Sequence, residues 1–157
     1  MATVLLIIFL LSFSTLLFHR FQPQVVGFAS AIILFGIFLF FTSLISPILQ
    51  GKHIVQEIAW VPALHINLRF YLDGLGLFFT LLISLFGSLI VFYATVYMRR
   101  KRKVDRFLFF LLLFTGSMLG VVLSDNIFLL YIFWELTSIS SYLLISFNNG
   151  KIKARDA

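Results

Sequence analysis

Apolar residues run almost unbroken through five stretches of the chain, 2–18, 25–49, 74–98, 107–123 and 126–147, and alternate with polar ones in a sixth. A spanning helix needs about 20 mostly apolar residues rising ~1.5 Å each, so every run is predicted to cross a bilayer. The first is at the short limit. Its opening, MATVLL, has no basic side chain, and charge follows it at His19 and Arg20. A secretory signal has the opposite order, so a retained first helix is predicted. Pro23 punctuates the chain before the second run. Pro47 falls near that run's end, where a lost hydrogen bond costs least. Small residues, Gly27, Ala29, Ser30 and Gly36 in the second run, Gly74, Gly76 and Gly87 in the third, and Gly116, Ser117 and Gly120 in the fourth, are expected at close helix contacts. Only Ser124 and Asp125 separate the last two runs, which predicts an antiparallel pair.

Between 50 and 73 the period changes to two. Leu64, Ile66, Leu68, Phe70 and Leu72 are apolar, while His65, Asn67 and Arg69 alternate with them; Ile54, Ile58 and Trp60 keep the same parity before Pro62. That pattern predicts a β-hairpin at the membrane surface and disfavours an interfacial helix, which needs a 3.6-residue period. The predicted fold is a single all-α integral membrane domain over 1–157, with five transmembrane helices and a short extracytoplasmic β-hairpin between the second and third.

Composition agrees. Hydrophobic residues make up 61% of the 157 and charged residues 11%, against about a quarter charged in ordinary domains, so lipid is the solvent for most of the chain. There is no cysteine, which excludes disulfides and thiolate metal sites within the chain. The net charge of +6 is distributed beside the apolar runs rather than over a binding face, which argues against nucleic acid as a partner. With alternating helices, Arg20, the basic residues of 99–106 and Lys151, Lys153 and Arg155 share one side, and only Lys52 and Arg69 share the other. The positive-inside rule then predicts a multi-pass cell-membrane protein whose N-terminus, hairpin and Asp125 are extracytoplasmic. Loop 99–106 and the C-terminal tail are cytoplasmic. A topology signal explains the basic loop more simply than specific lipid recognition.

One side chain stands out against this background. Glu135 lies near the middle of the run 126–147, about 13 Å along the helix from its start. A charged side chain at a span centre costs about 2.5–3.5 kcal/mol on insertion scales, and taking up a proton lowers that cost, so Glu135 is a candidate proton site. At 100° per residue Tyr131, Ser138 and Tyr142 fall within about 60° of it and form a supporting polar face. The alternative is that a neutral Glu135 hydrogen-bonds a neighbouring helix. His19, His53 and His65 lie outside the spans without metal-ligand spacing, and solvated or interfacial positions are expected for them. Asp125 is expected to cap the fifth span or lie exposed, with a proton-antenna role as the alternative. No phosphate loop, nucleophile triad or nucleotide fingerprint is present, so neither enzymatic chemistry nor a cofactor is expected.

The segments LDGLGLFFTLLISLFGSLIVFYATVYM (72–98) and RFLFFLLLFTGSMLGVVLSDNIFLLYIFWELTSISSYLLISF (106–147) resemble the start of the A subunit of the Mrp-type multisubunit cation/proton antiporters. That protein is related to the large antiporter-like membrane subunit of respiratory complex I. The phrase SDN followed by FWELTSISSYLLI is the specific part and favours the antiporter branch. The resemblance covers roughly 60–150; the first two runs agree mainly in character and placement. It implies a proton-translocating bundle of about fourteen helices with inverted repeats. It also implies that Glu135 is the fifth-helix glutamate that faces a lysine on a later broken helix. Here Lys52, Lys101, Lys103, Lys151 and Lys153 all lie in loops or the tail, so the partner lysine is expected from outside these residues. The chain is accordingly expected to be a piece of a longer or split subunit.

The reading is therefore a transporter component, not an enzyme: part of a monovalent cation (Na+)/proton antiporter in which Glu135 relays protons. Its expected partners are the other subunits, the chain supplying the missing helices and lysine, the bilayer, protons and Na+. The alternatives are a fragment of a proton-pumping subunit of respiratory NADH:quinone oxidoreductase, or a non-catalytic membrane assembly subunit.

Overall fold

The computed structural model describes residues 1–17, 23–61, 66–98 and 104–147. The expectations that fall on His19, Arg20, Pro62, Leu64, His65, the basic residues 99–103 and the tail from 148 lie outside them. The elements are α1 (Ala2–Leu17), α2 (Pro23–Ser43), α3 (Ile45–Leu49), β1 (Ile54–Val61), β2 (Ile66–Leu72), α4 (Gly74–Tyr97), α5 (Val104–Leu123) and α6 (Ile127–Ser146). Four helical segments, 24–49, 74–97, 104–123 and 127–146, are long and apolar enough to cross a membrane. The 16-residue α1 is apolar but shorter, rising about 24 Å against a hydrocarbon core of about 30 Å.

The second predicted run is helical but interrupted. α2 stops at Ser43 and α3 begins at Ile45, with Leu44 between them at φ −86°, ψ −3°. Pro47 accounts for the break: it has no N–H for the carbonyl of Ser43, four residues back, and its ring crowds that carbonyl. The chain tightens there, and the Leu44 N–H donates three residues back to the Phe41 carbonyl at 3.1 Å. The third run starts where its cap dictates. Asp73 Oδ1 accepts from the Gly76 N–H at 2.7 Å, satisfying one of the donors a helix start leaves open.

α5 is the hub, packed along α1, α4 and α6, while α2 packs chiefly along α4. Close approach is made by small residues. The Phe133 ring of α6 lies directly on Gly120 of α5, where a Cβ would collide with it. Gly87 of α4 meets the Thr115 methyl of α5 in the same way, and a Cβ there would lie 2.8 Å from it. Gly36 and Gly74 behave differently from the sequence expectation: nothing lies within 4 Å of the place a Cβ would take. A glycine's position in an apolar run does not reveal which face the neighbouring helix covers.

Among the buried hydroxyls of the described residues, all but Ser12 and Thr80 donate to a carbonyl three or four residues back in their own helix. Ser12 Oγ instead bonds across to the Phe109 carbonyl of α5 at 2.9 Å.

The period-two segment forms the expected antiparallel hairpin. Ile54 pairs with Leu72, Gln56 with Phe70 and Ile58 with Leu68, so even positions face even positions. Phe70 and Leu72 are buried against the bundle, whereas Glu57 and Arg69 pair on the opposite face. Gln56 Oε1 accepts from the Met1 amine at 2.7 Å and the Ala2 N–H at 3.0 Å. The start of α1, the hairpin and the α5–α6 turn therefore share one end of the bundle, the grouping that alternating spans require.

Candidate functional site

α6 begins where Asn126 ends the turn. Its Oδ1 accepts from the Phe128 N–H at 2.9 Å, so Asn126 makes the cap, and Asp125 takes the exposed position that is the other expectation for it. Asp125 is one residue too early; its Oδ2 accepts instead from Arg69 Nε at 2.9 Å. From this cap the helix runs through Glu135, which is half-buried near the middle of the span, about 13 Å on.

The buried residues of α6 are Leu129, Phe133 and Ser140. They fall on the side of the helix turned away from Glu135. Phe133 meets Gly120 there and stacks on Phe9 of α1 with ring centroids 6.2 Å apart. The Glu135 side is left open: Tyr131 is 56% exposed, Tyr142 70%, and Ser138 is exposed as well.

Of the three hydroxyl residues predicted to share that side, Tyr131 lies one turn before Glu135 and interacts with its carboxylate. Ser138 is on the same side, but its Oγ donates to the Trp134 carbonyl at 3.3 Å. Tyr142 stands further along without joining that pair. The structure thus gathers the predicted polar stripe on one open face and brings only Tyr131 and Glu135 together. Among the described residues the only salt bridge is Arg69–Asp125, so no basic side chain compensates Glu135. No cluster of His, Asp and Glu suited to a metal occurs among them either. His53 is exposed and packs its ring near Tyr71.

A second polar constellation has little signature in the sequence. Besides the ion pair, the Asp125 N–H donates to the Arg69 carbonyl at 3.0 Å, Asn126 Nδ2 donates to the Asn67 carbonyl at 3.2 Å, and Ser124 bridges to Phe70. Three consecutive turn residues are thereby fastened to β2. The only signal along the chain is faint: Arg69 is a lone base on a strand, and Asp125 a lone acid in the one turn that reaches it.

Known proteins share both the sequence and this arrangement of helices. Residues 59–108 match the family described as the N-terminus of chain 5 of NADH-ubiquinone oxidoreductase (complex I). The A1 subunit of the Na(+)/H(+) antiporter of Staphylococcus aureus strain bovine RF122 / ET3-1 is 50% identical over 111 residues, which is 71% of this chain and 14% of that protein. The chain is thus similar to the N-terminal part of the Mrp antiporter's A subunit. The same protein from strain JH9 matches to the same extent, so the chain spans about a seventh of the length of these curated relatives. A chain in the solved Mrp complex from Dietzia sp. DQ12-45-1b superimposes with a TM-score of 0.83 over 98% of this chain and 17% of its own length, at 29% identity. An archaeal membrane-bound sulfane sulfur reductase, a respiratory membrane complex, shares the fold with a TM-score of 0.70 at 20% identity. The apolar helices make this a multi-pass membrane protein.

Proposed function

We propose that the chain forms the part of a multisubunit monovalent cation (Na+)/proton antiporter that supplies a membrane-embedded proton-relay carboxylate, Glu135, supported by Tyr131 with Ser138 and Tyr142 along the same face. The observation that carries this reading is the placement of Glu135: an acid at mid-span, on the side of α6 that the other described helices leave open. A carboxyl facing lipid there is costly, and membrane acids are retained where they line a protein or water interface. The open face therefore belongs against further helices, which bring the compensating base that these residues lack. Its partners are the other subunits of the complex and the segment that carries that base. The cell membrane holds it with the hairpin, the start of α1 and Asp125 outside and the 99–106 loop and tail inside.

Transport in inverted vesicles tests the proposal, normalised to the abundance of the assembled complex. Glutamine keeps the size and hydrogen-bonding reach of Glu135 but cannot take up and release a proton. Glu135→Gln is expected to leave assembly intact and to cut cation/proton exchange by on the order of 10²-fold or more, the scale of a lost acid–base group. Glu135→Asp retains the acid one CH₂ short and should keep part of the activity. Wild-type exchange in the glutamine variant ends the claim and favours the assembly role, in which an amide replaces a neutral acid at no cost.

A further inference from the structure

α6 is the least enclosed of the long helices. Only 17% of its most apolar window is buried, against 33–50% for the other three. On its flank it is held by α5 and by the Phe9–Phe133 stack. At its end it is held by the contacts of Ser124, Asp125 and Asn126 with β2. The Arg69–Asp125 pair is 52% and 34% exposed at its two side chains. An ion pair so exposed contributes little to stability, so its use is geometric.

We infer that the hairpin fixes the tilt and rotation of α6, with Arg69 and Asp125 as positioning residues for Glu135; this rests on the proton-relay reading above. The arrangement is a lever. Glu135 lies about 13 Å along the axis from the latch, so a tilt of about 5° at the turn displaces its carboxyl by ~1 Å. A misplacement of that size costs up to 10²-fold where groups must meet in register. The two cross-bonds also differ in kind. The ion pair opposes sliding of the turn along β2, and the Asn126 amide bond to the Asn67 carbonyl opposes rolling of α6 about its axis. Both end on β2, whose Phe70 and Leu72 are buried, so the latch is anchored in the core rather than on a loose ribbon.

The test separates position from stability. Arg69→Gln with Asn126→Asp removes both side-chain links, yet an aspartate still caps α6. Arg69→Asp with Asp125→Arg reverses the pair and should restore it. The chain has no cysteine, so Leu10→Cys on α1 and Ile145→Cys on α6, both exposed and outside the Glu135 stripe, accept spin labels in the assembled complex without background labelling from this chain. The expected results are a broadened or shifted label distance in the unlatched variant, a loss of exchange on the order of tenfold at unchanged complex abundance, and a displaced pH profile. Reversing the pair should recover all three.

The pH profile discriminates because, among the described residues, the titratable groups near Glu135 are few. Tyr131 and Tyr142 share its face, α1 carries no titratable side chain, and α5 carries only Asp105 and Arg106, in its first turn at the opposite end. A merely stabilising latch would change abundance and leave the profile in place. Unchanged distances, or changed distances with wild-type exchange and pH profile, overturn the positioning role. If Glu135→Gln itself exchanges like wild type, the relay reading fails instead, whatever the label distances show.

Discussion

Phe133 rests on Gly120 with no room for a methyl group between them, while Gly36, in an equally apolar helix, has open space at the same place. The two glycines therefore predict opposite responses. Gly120→Ala must displace the Phe133 ring or separate α5 from α6, and overpacking of this kind costs about 1–3 kcal/mol. Gly36→Ala removes a poor helix former without a clash and should stabilise α2 by up to about 1 kcal/mol. Thermal unfolding of the detergent-solubilised complex should lower the midpoint for the first and hold or raise it for the second. Glu135 is legible at this scale because acids are rare in spans, and so is the polar stripe around it. What one sequence does not show is the difference between Gly36 and Gly120, which arises from the facing helix. The pairing of Arg69 with Asp125 is hidden for the same reason, since it joins residues far apart in the chain.

The helices and the hairpin are readable at nearly their observed limits because period and length settle them. The departures have local causes. Pro47 breaks the second run at Leu44 instead of merely marking its end, and α5 is already helical at Val104 rather than from 107. The α6 cap falls on Asn126 because that residue, extended and two before Phe128, is placed to reach the Phe128 N–H. Caps also carry a prediction for α4. Losing the Asp73 carboxylate leaves the Gly76 N–H open, so Asp73→Ala should cost about 1 kcal/mol, while Asp73→Asn or Asp73→Ser should retain most of that stability. Amide hydrogen exchange resolved to the first turn of α4 reads this directly: faster exchange in the alanine variant, near-normal protection in the other two. Equal exchange in all variants would show that the cap contributes nothing.

For the whole molecule, the start of α1, the hairpin and the α5–α6 turn lie at one end, and the C-terminus of α4 and the start of α5 at the other. Which end faces the cytoplasm is a proposal that rests on the distribution of basic residues in the sequence. Ala59 on β1 is exposed, and Lys101 falls in the basic loop. With Ala59→Cys and Lys101→Cys in separate samples, an impermeant thiol reagent applied to intact cells should label the first and spare the second. The reverse pattern would invert the orientation and leave the fold untouched. The specific phrase around Trp134 and Glu135 points to the antiporter branch, and the identity to the staphylococcal antiporter protein agrees with it. The hydroxyls folded back onto their own helices have an electrical consequence. A proton wire needs donors and acceptors that can exchange partners, and most hydroxyls buried between these helices are already committed to fixed carbonyls. The packed interior thus serves as a dielectric across which the membrane voltage is sustained, at about 2.3 kcal/mol per charge for each 100 mV. Under the relay proposed above, proton current is expected along the outer side of α6, where it does not leak through the bundle.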